Sequence, residues 1–126
     1  PVVVLTGGGG LLFNIQELAT VAQLGLSLVV VVFNDNSYGV LKPQQEMKYG
    51  RTIGVDLKNP DFPDLARAFG VVGRRVHSVQ ELEIAITDGL KKGGCWLIEM
   101  PCSIDWPTAA RLSRMFPETR SNKSLP

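Results

Sequence analysis

The sequence predicts an α/β fold, a three-layer sandwich in which helices cover both faces of a mostly parallel sheet. Two continuous apolar runs, Val2–Leu5 and Leu28–Phe33, are rich in β-branched residues, as expected of strands buried on both faces. Apolar residues at helical spacing lie between the two runs, so strand, helix and strand form a βαβ unit. We therefore expect the two strands to lie side by side and to end at the same edge of the sheet.

The first strand ends in the glycine run Gly7–Gly10. A backbone without side chains can approach a ligand closely and direct successive N–H groups towards it, as phosphate-binding turns between strand and helix do. Asn14 is the predicted N-cap of the following helix, Glu17 occupies the acidic position of a capping box, and Gly25 ends the helix.

The second strand ends in the polar segment Asn34–Gly39. Ligands of open α/β sheets bind outside the carboxyl ends of the strands. We therefore expect Gly7–Gly10 and Asn34–Gly39 to form two walls of one site.

The spacing after the glycines separates the possible phosphate-binding motifs. A mononucleotide P-loop needs a lysine and a hydroxyl there, and Leu11 and Leu12 exclude it. A dinucleotide fingerprint needs a third glycine at the position of Leu12. Asp35 can still imitate the acid that binds ribose in such domains, so a dinucleotide-binding, Rossmann-like domain stays open as an alternative.

The rest of the chain continues the alternation of helices and strands. The predicted elements are a short helix with Pro43 in its first turn, a loop over 50–60, a helix from the cap Asp61 to Gly70, a strand over Val71–Val76, a helix from the capping box Ser78–Glu81 to Gly93, and a last strand over Cys95–Met100. His77 is expected at the surface or in a cap, and Phe69 and Trp96 in the core or an interface. We expect one domain over 1–106, then a short helix near 107–115 and a mobile tail over 117–126.

Composition excludes several classes of protein. The chain has 126 residues, 44% of them hydrophobic, which suits a single core, and its net charge of +1 argues against a nucleic-acid partner. No stretch reaches the roughly 20 apolar residues of a membrane span, and Pro1-Val2-Val3 is no signal-peptide n-region. The two cysteines, Cys95 and Cys102, are predicted to be reduced thiols of a cytoplasmic protein.

Two separated segments together resemble a known cofactor motif. The segments are Thr6–Thr20, with its four glycines, and Phe33–Gly39. They resemble the motif of thiamine diphosphate enzymes, which opens Gly-Asp-Gly and closes with Asn-Asn or Asn-Asp, and the acetolactate synthase and benzoylformate decarboxylase group is the most similar. The resemblance extends to about Pro101 and implies a domain that binds thiamine diphosphate through Mg²⁺.

The resemblance implies roles for particular residues. Asp35 is the expected side-chain ligand of the metal, the Ser37 carbonyl is a second ligand, and the amides of Gly9 and Gly10 are expected to contact the diphosphate. The full set of expected cofactor-binding residues is Gly7, Gly8, Gly9, Gly10, Asn34, Asp35, Ser37, Tyr38 and Gly39. Magnesium takes oxygen ligands and usually few from the protein, which suits these assignments.

One position departs from the family pattern. Gly8 stands where the family has a metal-binding aspartate, so the ion loses a ligand and a neutralising charge. We expect weak or absent Mg²⁺-dependent binding, which Gly8→Asp should strengthen.

Leu41 occupies the position that faces the reacting carbon in the family, six residues after Asp35. An apolar side chain there suits a pocket of the acetolactate synthase or aryl-keto acid type. The alternative is that Leu41 only packs a helix against the sheet.

The resemblance also implies what the isolated chain lacks. In the family a glutamate on a separate pyrimidine-binding domain, usually from another subunit, activates the cofactor. We therefore expect no catalysis by this chain alone, and association with such a domain or with further copies of itself. The exposed apolar surfaces expected to drive association are formed by Val40, Leu41, Met47, Ala109, Leu112 and Met115. A non-catalytic remnant or oligomerisation module with a silenced cofactor site is the alternative function.

Overall fold

The computed structural model describes residues 2–103, which form a four-stranded sheet with helices on both faces. The elements are β1 (Val2–Gly7), α1 (Gly8–Leu12), α2 (Glu17–Gln23), β2 (Leu28–Asn34), α3 (Leu41–Tyr49), α4 (Phe62–Ala68), β3 (Val72–Arg75), α5 (Val79–Lys92) and β4 (Cys95–Pro101). The strand order is β1-β2-β4-β3, and all neighbours are parallel. The predicted α/β fold is confirmed. The helix predicted near 107–115, its apolar residues and the tail lie outside the described residues.

The two central strands, β2 and β4, carry the core on both of their faces. On one face Val30, Val32 and Leu97 pack with Leu18 of α2 and with α4. The opposite face packs against α5, and its buried residues are Val29, Val31, Val76, Ala85, Trp96 and Ile98. Because successive side chains of a strand point to opposite faces, a continuous apolar strand needs a cover on both sides. This arrangement is the predicted three-layer sandwich.

The first strand is not buried on both faces, contrary to the prediction. β1 lies at the edge of the sheet and pairs only with β2. Val2 is 58% exposed and Leu5 67% exposed, while Val3 and Val4 are also exposed. Within residues 2–103, the apolar core cluster beneath α5 contains no residue of β1. Helix α5 therefore does not cover this edge of the sheet.

The first helix starts earlier than predicted. α1 begins at Gly8, directly after β1, and Asn14 lies in the turn between α1 and α2 instead of capping a helix. Leu11 and Leu12 pack against the core, and this contact favours an immediate helical turn. Gly25 ends the segment with a φ of +60°, as predicted.

The predicted caps of the later helices are confirmed. The Asp61 side chain accepts a hydrogen bond from the Asp64 N–H at 2.9 Å, and the Ser78 hydroxyl accepts one from the Glu81 N–H at 3.1 Å. Glu81 in turn accepts from the His77 N–H, so His77 takes part in a cap through its backbone. Trp96 lies in the core, as predicted. No helix within residues 2–103 is long and apolar enough to span a membrane.

Candidate functional site

A cavity of about 640 Å³ opens at the carboxyl edge of the sheet. Three segments line it: the end of β1 with the start of α1, the segment after β2, and the residue beyond β4. Its lining residues are Leu5, Thr6, Gly7, Gly9, Gly10, Phe33, Asp35, Ser37, Tyr38, Gly39, Val40, Leu41 and Cys102. The two segments expected to face one another therefore meet in one cavity.

The glycine wall of this cavity is bare backbone. Gly7 is the N-cap of α1 in an extended conformation, and no side chain caps the helix. A Cβ on Gly9 would lie 2.6 Å from Cε1 of Tyr38, so only glycine fits there without displacing the ring. Tyr38 also stacks on Phe13, with 6.3 Å between the ring centroids. The first N–H groups of α1 are consequently left to a ligand or to water.

The segment after β2 holds the Asp35 carboxylate in a tight turn. Oδ1 of Asp35 accepts from the Ser37 N–H at 3.0 Å, and Oδ2 accepts from the Ser37 hydroxyl at 2.8 Å. A short antiparallel bridge between Ser37 and Asp56 fixes the far side of this turn. Within residues 2–103 no donor reaches the Ser37 carbonyl.

The site therefore offers two hard oxygen groups, the Asp35 carboxylate and the Ser37 carbonyl. Among the described residues, no three histidine, cysteine, aspartate or glutamate side chains come together as a metal-binding cluster. A magnesium ion that takes most of its ligands from phosphate and water needs no such cluster. The donor set fits an ion of that kind, and it does not fit a metal enclosed by protein alone.

Gly8 and Asn34 do not line the cavity. Gly8 is buried, and a Cβ there would lie 2.6 Å from Nδ2 of Asn59 and 3.0 Å from Oδ1 of Asn34. The Asn34 side chain turns inward and donates to the buried Glu99 at 2.7 Å. These two of the expected cofactor-binding residues therefore lie behind the cavity wall.

A second cavity of about 890 Å³ adjoins the first and shares Asp35, Ser37, Gly39 and Cys102 with it. Lys42 lines this second cavity and pairs with Asp56 at 2.6 Å. The hydrogen bond and charge of Asp56, and more weakly the charge of Asp35, raise the pKa of Lys42 above its ordinary value. Both groups are largely exposed, so water screens this pair.

Leu41 lines the first cavity and is 47% exposed. It begins α3, a helix with no buried residue, so residues 2–103 give no support to the alternative that Leu41 packs a helix against the sheet. Val40 and Tyr38 lie beside it on the cavity wall, which is apolar at this end.

Cys102 is a site residue that the sequence analysis did not identify. It follows β4, and its N–H donates to the Asn34 carbonyl at 3.0 Å, which extends the β2–β4 pairing to the cavity. Burial, and then the charge of Asp35, raise the pKa of its thiol. Its position in the sequence could have identified it. Cys102 follows the last predicted strand, and the carboxyl end of a third parallel strand reaches the same edge of the sheet as the first two.

Comparisons with known proteins identify the family of this domain. Residues 1–100 match the family model for the C-terminal TPP-binding domain of thiamine pyrophosphate (thiamine diphosphate) enzymes. Acetolactate synthase of Bacillus subtilis is 34% identical over 98% of this chain and 22% of its own length. A probable 2-ketoarginine decarboxylase of Pseudomonas aeruginosa is 37% identical over 79% of this chain and 18% of its own.

Solved structures give the same result. Benzoylformate decarboxylase from Polynucleobacter necessarius superposes with a TM-score of 0.77 at 30% identity, covering 82% of this chain and 20% of that one. The chain thus spans about a fifth of the length of the relatives it matches. These matches favour the thiamine motif over the dinucleotide-binding alternative. By the family model, the curated relatives and the fold together, the chain belongs to the family of C-terminal TPP-binding domains of thiamine pyrophosphate enzymes.

Proposed function

We propose that this chain binds the diphosphate end of thiamine diphosphate, together with Mg²⁺, at the cavity on the carboxyl edge of the sheet. The observation that carries the proposal is the meeting of an uncapped glycine turn with the Asp35 turn across one cavity. The amides of Gly9 and Gly10 donate to diphosphate oxygens. The Asp35 carboxylate and the Ser37 carbonyl bind the ion, and water and phosphate complete its shell.

The residues of the apolar end orient the rest of the cofactor. Tyr38 fills the space beside Gly9 and keeps the glycine backbone in place. Leu41 and Val40 exclude water from the part of the cavity where a 2-keto acid would enter. Thiamine diphosphate, when bound, supplies a stabilised carbanion to such chemistry. The relatives named as acetolactate synthase and decarboxylases support a 2-keto acid as the substrate class of the whole enzyme.

The isolated chain is proposed to bind the cofactor without turning over a substrate. The relatives are about five times longer, and the resemblance places the activating glutamate on a separate domain. Release of carbon dioxide from pyruvate or benzoylformate should therefore stay at the enzyme-free rate. A rate above it that Asp35→Ala abolishes would contradict this part of the proposal.

Calorimetric titration with thiamine diphosphate, with and without Mg²⁺, tests the binding proposal. We expect binding that depends on the ion and that Asp35→Ala weakens by about tenfold or more, because it removes the one carboxylate that lines the first cavity among residues 2–103. Asp88→Ala is the control, since Asp88 lies on α5, does not line the cavity, and pairs with Arg74.

Cys102 provides an independent readout of the same binding. Its thiol lines the cavity, so thiamine diphosphate with Mg²⁺ should slow its alkylation by iodoacetamide, while the buried Cys95 stays unreactive. Unchanged alkylation of Cys102 and no heat of binding at millimolar cofactor would contradict the proposal and favour the alternative, a domain with a silenced cofactor site. The observation behind that alternative is the packing of Gly8 against Asn59, which leaves no carboxylate at position 8.

A further inference from the structure

A buried polar chain lies directly behind the cavity wall and ends at the Asp35 turn. Glu99 of β4 is 2% exposed, and Asn34 at the end of β2 is 8% exposed. Nδ2 of Asn34 donates to Oε1 of Glu99 at 2.7 Å, and Nε of Arg75 donates to Oε2 of Glu99 at 2.7 Å. Buried ionised groups are costly unless paired, and Glu99 has one charged and one neutral partner.

Glu99 determines which way the Asn34 amide is turned. An ionised carboxylate only accepts hydrogen bonds, so the NH₂ of Asn34 must face it and the amide oxygen must face away. That oxygen then accepts from the Asn36 N–H at 3.1 Å and from Nδ2 of Asn59 at 2.8 Å. A reversed amide would set two donors against each other at Asn36.

The Asn36 contact holds a strained part of the turn. Asn36 has a φ of +51°, the only positive φ at a residue other than glycine within residues 2–103. A left-handed conformation at such a residue costs roughly 1 kcal/mol and persists only where the surroundings impose it. Two hydrogen bonds hold it here: the Asn36 N–H donates to Asn34, and the Asn36 carbonyl accepts from the Leu57 N–H at 2.8 Å. Asn36 lies between Asp35 and Ser37.

We propose that Glu99 is a positioning residue, which acts through the Asn34 amide to hold the Asp35–Ser37 turn in the shape that presents its oxygens to the cavity. Glu99 does not line the cavity, and it acts on the turn through the Asn34 side chain. The role in cofactor affinity rests on the proposed function, whereas the role in holding the turn does not. The two can therefore be tested separately.

Glu99→Gln is the variant that isolates this effect. Glutamine has the same shape but can present either its oxygen or its NH₂, so it no longer determines the orientation of Asn34. Arg74→Gln is the control, because Arg74 is the neighbour of Arg75 on β3, is exposed to a similar extent, 37% against 38%, and gives up an ion pair with Asp88 without touching Glu99.

Amide hydrogen exchange of the chain without ligands gives the first readout. Glu99→Gln should speed hydrogen exchange at the Asn36 and Ser37 amides by about tenfold relative to Arg74→Gln. The reason is the loss of the charged acceptor that fixes the orientation of the Asn34 amide. Exchange in the core of β2 should change equally in both variants if their global stabilities match. If Glu99→Gln does not fold, Arg75→Gln provides a second comparison, since it removes the cation paired with the buried carboxylate; Asp61→Asn, which changes the other partner of Arg75, is then the control.

Titration with thiamine diphosphate and Mg²⁺ gives the second readout, with an expected loss of affinity of about tenfold in Glu99→Gln and none in Arg74→Gln. Faster exchange at Asn36 and Ser37 without any binding by the unmodified chain would support the positioning role and reject the proposed function. Exchange at the turn that is the same in Glu99→Gln and Arg74→Gln would overturn the inference, whatever the cofactor does.

Discussion

At the scale of single residues, the Asn59 side chain fills the space that a side chain at position 8 would need. Nδ2 of Asn59 lies 2.6 Å from where a Cβ on Gly8 would be, and the same nitrogen donates to Asn34 at 2.8 Å. The sequence showed that position 8 has no carboxylate, but it could not show that a neighbour from a distant loop fills the gap. The expectation that Gly8→Asp strengthens Mg²⁺-dependent binding must therefore take into account the Asn59 side chain beside it.

We predict that Gly8→Asp destabilises the chain and that Asn59→Ala relieves much of this cost. The aspartate side chain must displace the Asn59 amide and break its hydrogen bond to Asn34. The loss of this hydrogen bond should lower the free energy of unfolding by about 1–2 kcal/mol. In the Asn59→Ala background the added cost should be smaller by about 1 kcal/mol. Urea unfolding of the double-mutant cycle measures this coupling.

The same variants test the metal site. Mg²⁺-dependent affinity for thiamine diphosphate should rise most in the double variant, where the new carboxylate has room to reach the ion. Additive unfolding energies, together with equal gains in affinity in both backgrounds, would show that Asn59 does not restrict position 8.

At the scale of elements, local signals predicted the helix ends that local chemistry controls. Asp61 and Ser78 cap α4 and α5 because a side-chain oxygen two or three residues before an N–H is within reach whatever the rest of the fold does. Asn14 has the same chemistry and does not cap, since the packing of Leu11 and Leu12 on the core already starts α1 at Gly8. At this helix, tertiary contacts rather than the capping preference of Asn14 determine where the helix begins.

The cap of α4 should make stability depend on pH in the acid range. The Asp64 N–H, then Arg75, and more weakly Arg67, lower the pKa of Asp61 below its ordinary value of 3.8. A group with a lowered pKa in the folded state contributes its full stability above the unfolded pKa, and this contribution is lost as the pH falls through the folded pKa. The change is thus expected below about pH 4.

Asp61→Asn tests this prediction, because asparagine retains the cap but cannot ionise. The difference in urea midpoint between the original chain and Asp61→Asn should be present at pH 7 and should shrink as the pH falls below about 4. Asp64→Asn is a control on the same helix, since the Asp64 side chain does not cap. A difference that stays constant from neutral to acid pH would contradict a lowered pKa at Asp61.

At the scale of the whole molecule, the described domain leaves apolar surface uncovered in two places. One is the edge strand β1, where Val3 and Leu5 point to the same face of the sheet as α5. Helix α5 covers that face over β2 and β4 but not over β1. The other is α3 and the residue before it, where Val40, Leu41 and Met47 are each about half exposed. Open sheet edges and apolar patches favour pairing with another chain.

We predict that the isolated chain associates into dimers or larger oligomers at micromolar concentration. Val3→Lys should weaken this association, because a charged side chain on an edge strand opposes edge-to-edge pairing. Ile84→Lys is the matched control, since Ile84 is 56% exposed on α5 and belongs to neither surface. Sedimentation velocity distinguishes the oligomer from the 13.7 kDa monomer.

A monomer at all concentrations would contradict this prediction. Equal dissociation by Val3→Lys and Ile84→Lys would show that association does not use the β1 edge.

The sequence by itself determined the fold class, the family, and the two segments that line the cavity, because strand patterning and the glycine turn are local features with fixed spacing. The neighbours of each site residue were decided only by the tertiary structure. Glu99, Arg75 and Asn59 are far from Asn34 along the chain, and no local pattern marks them, yet they meet behind the cavity wall. The strand order decided the rest: with β2 and β4 in the centre, β1 was left at the edge with its apolar residues exposed.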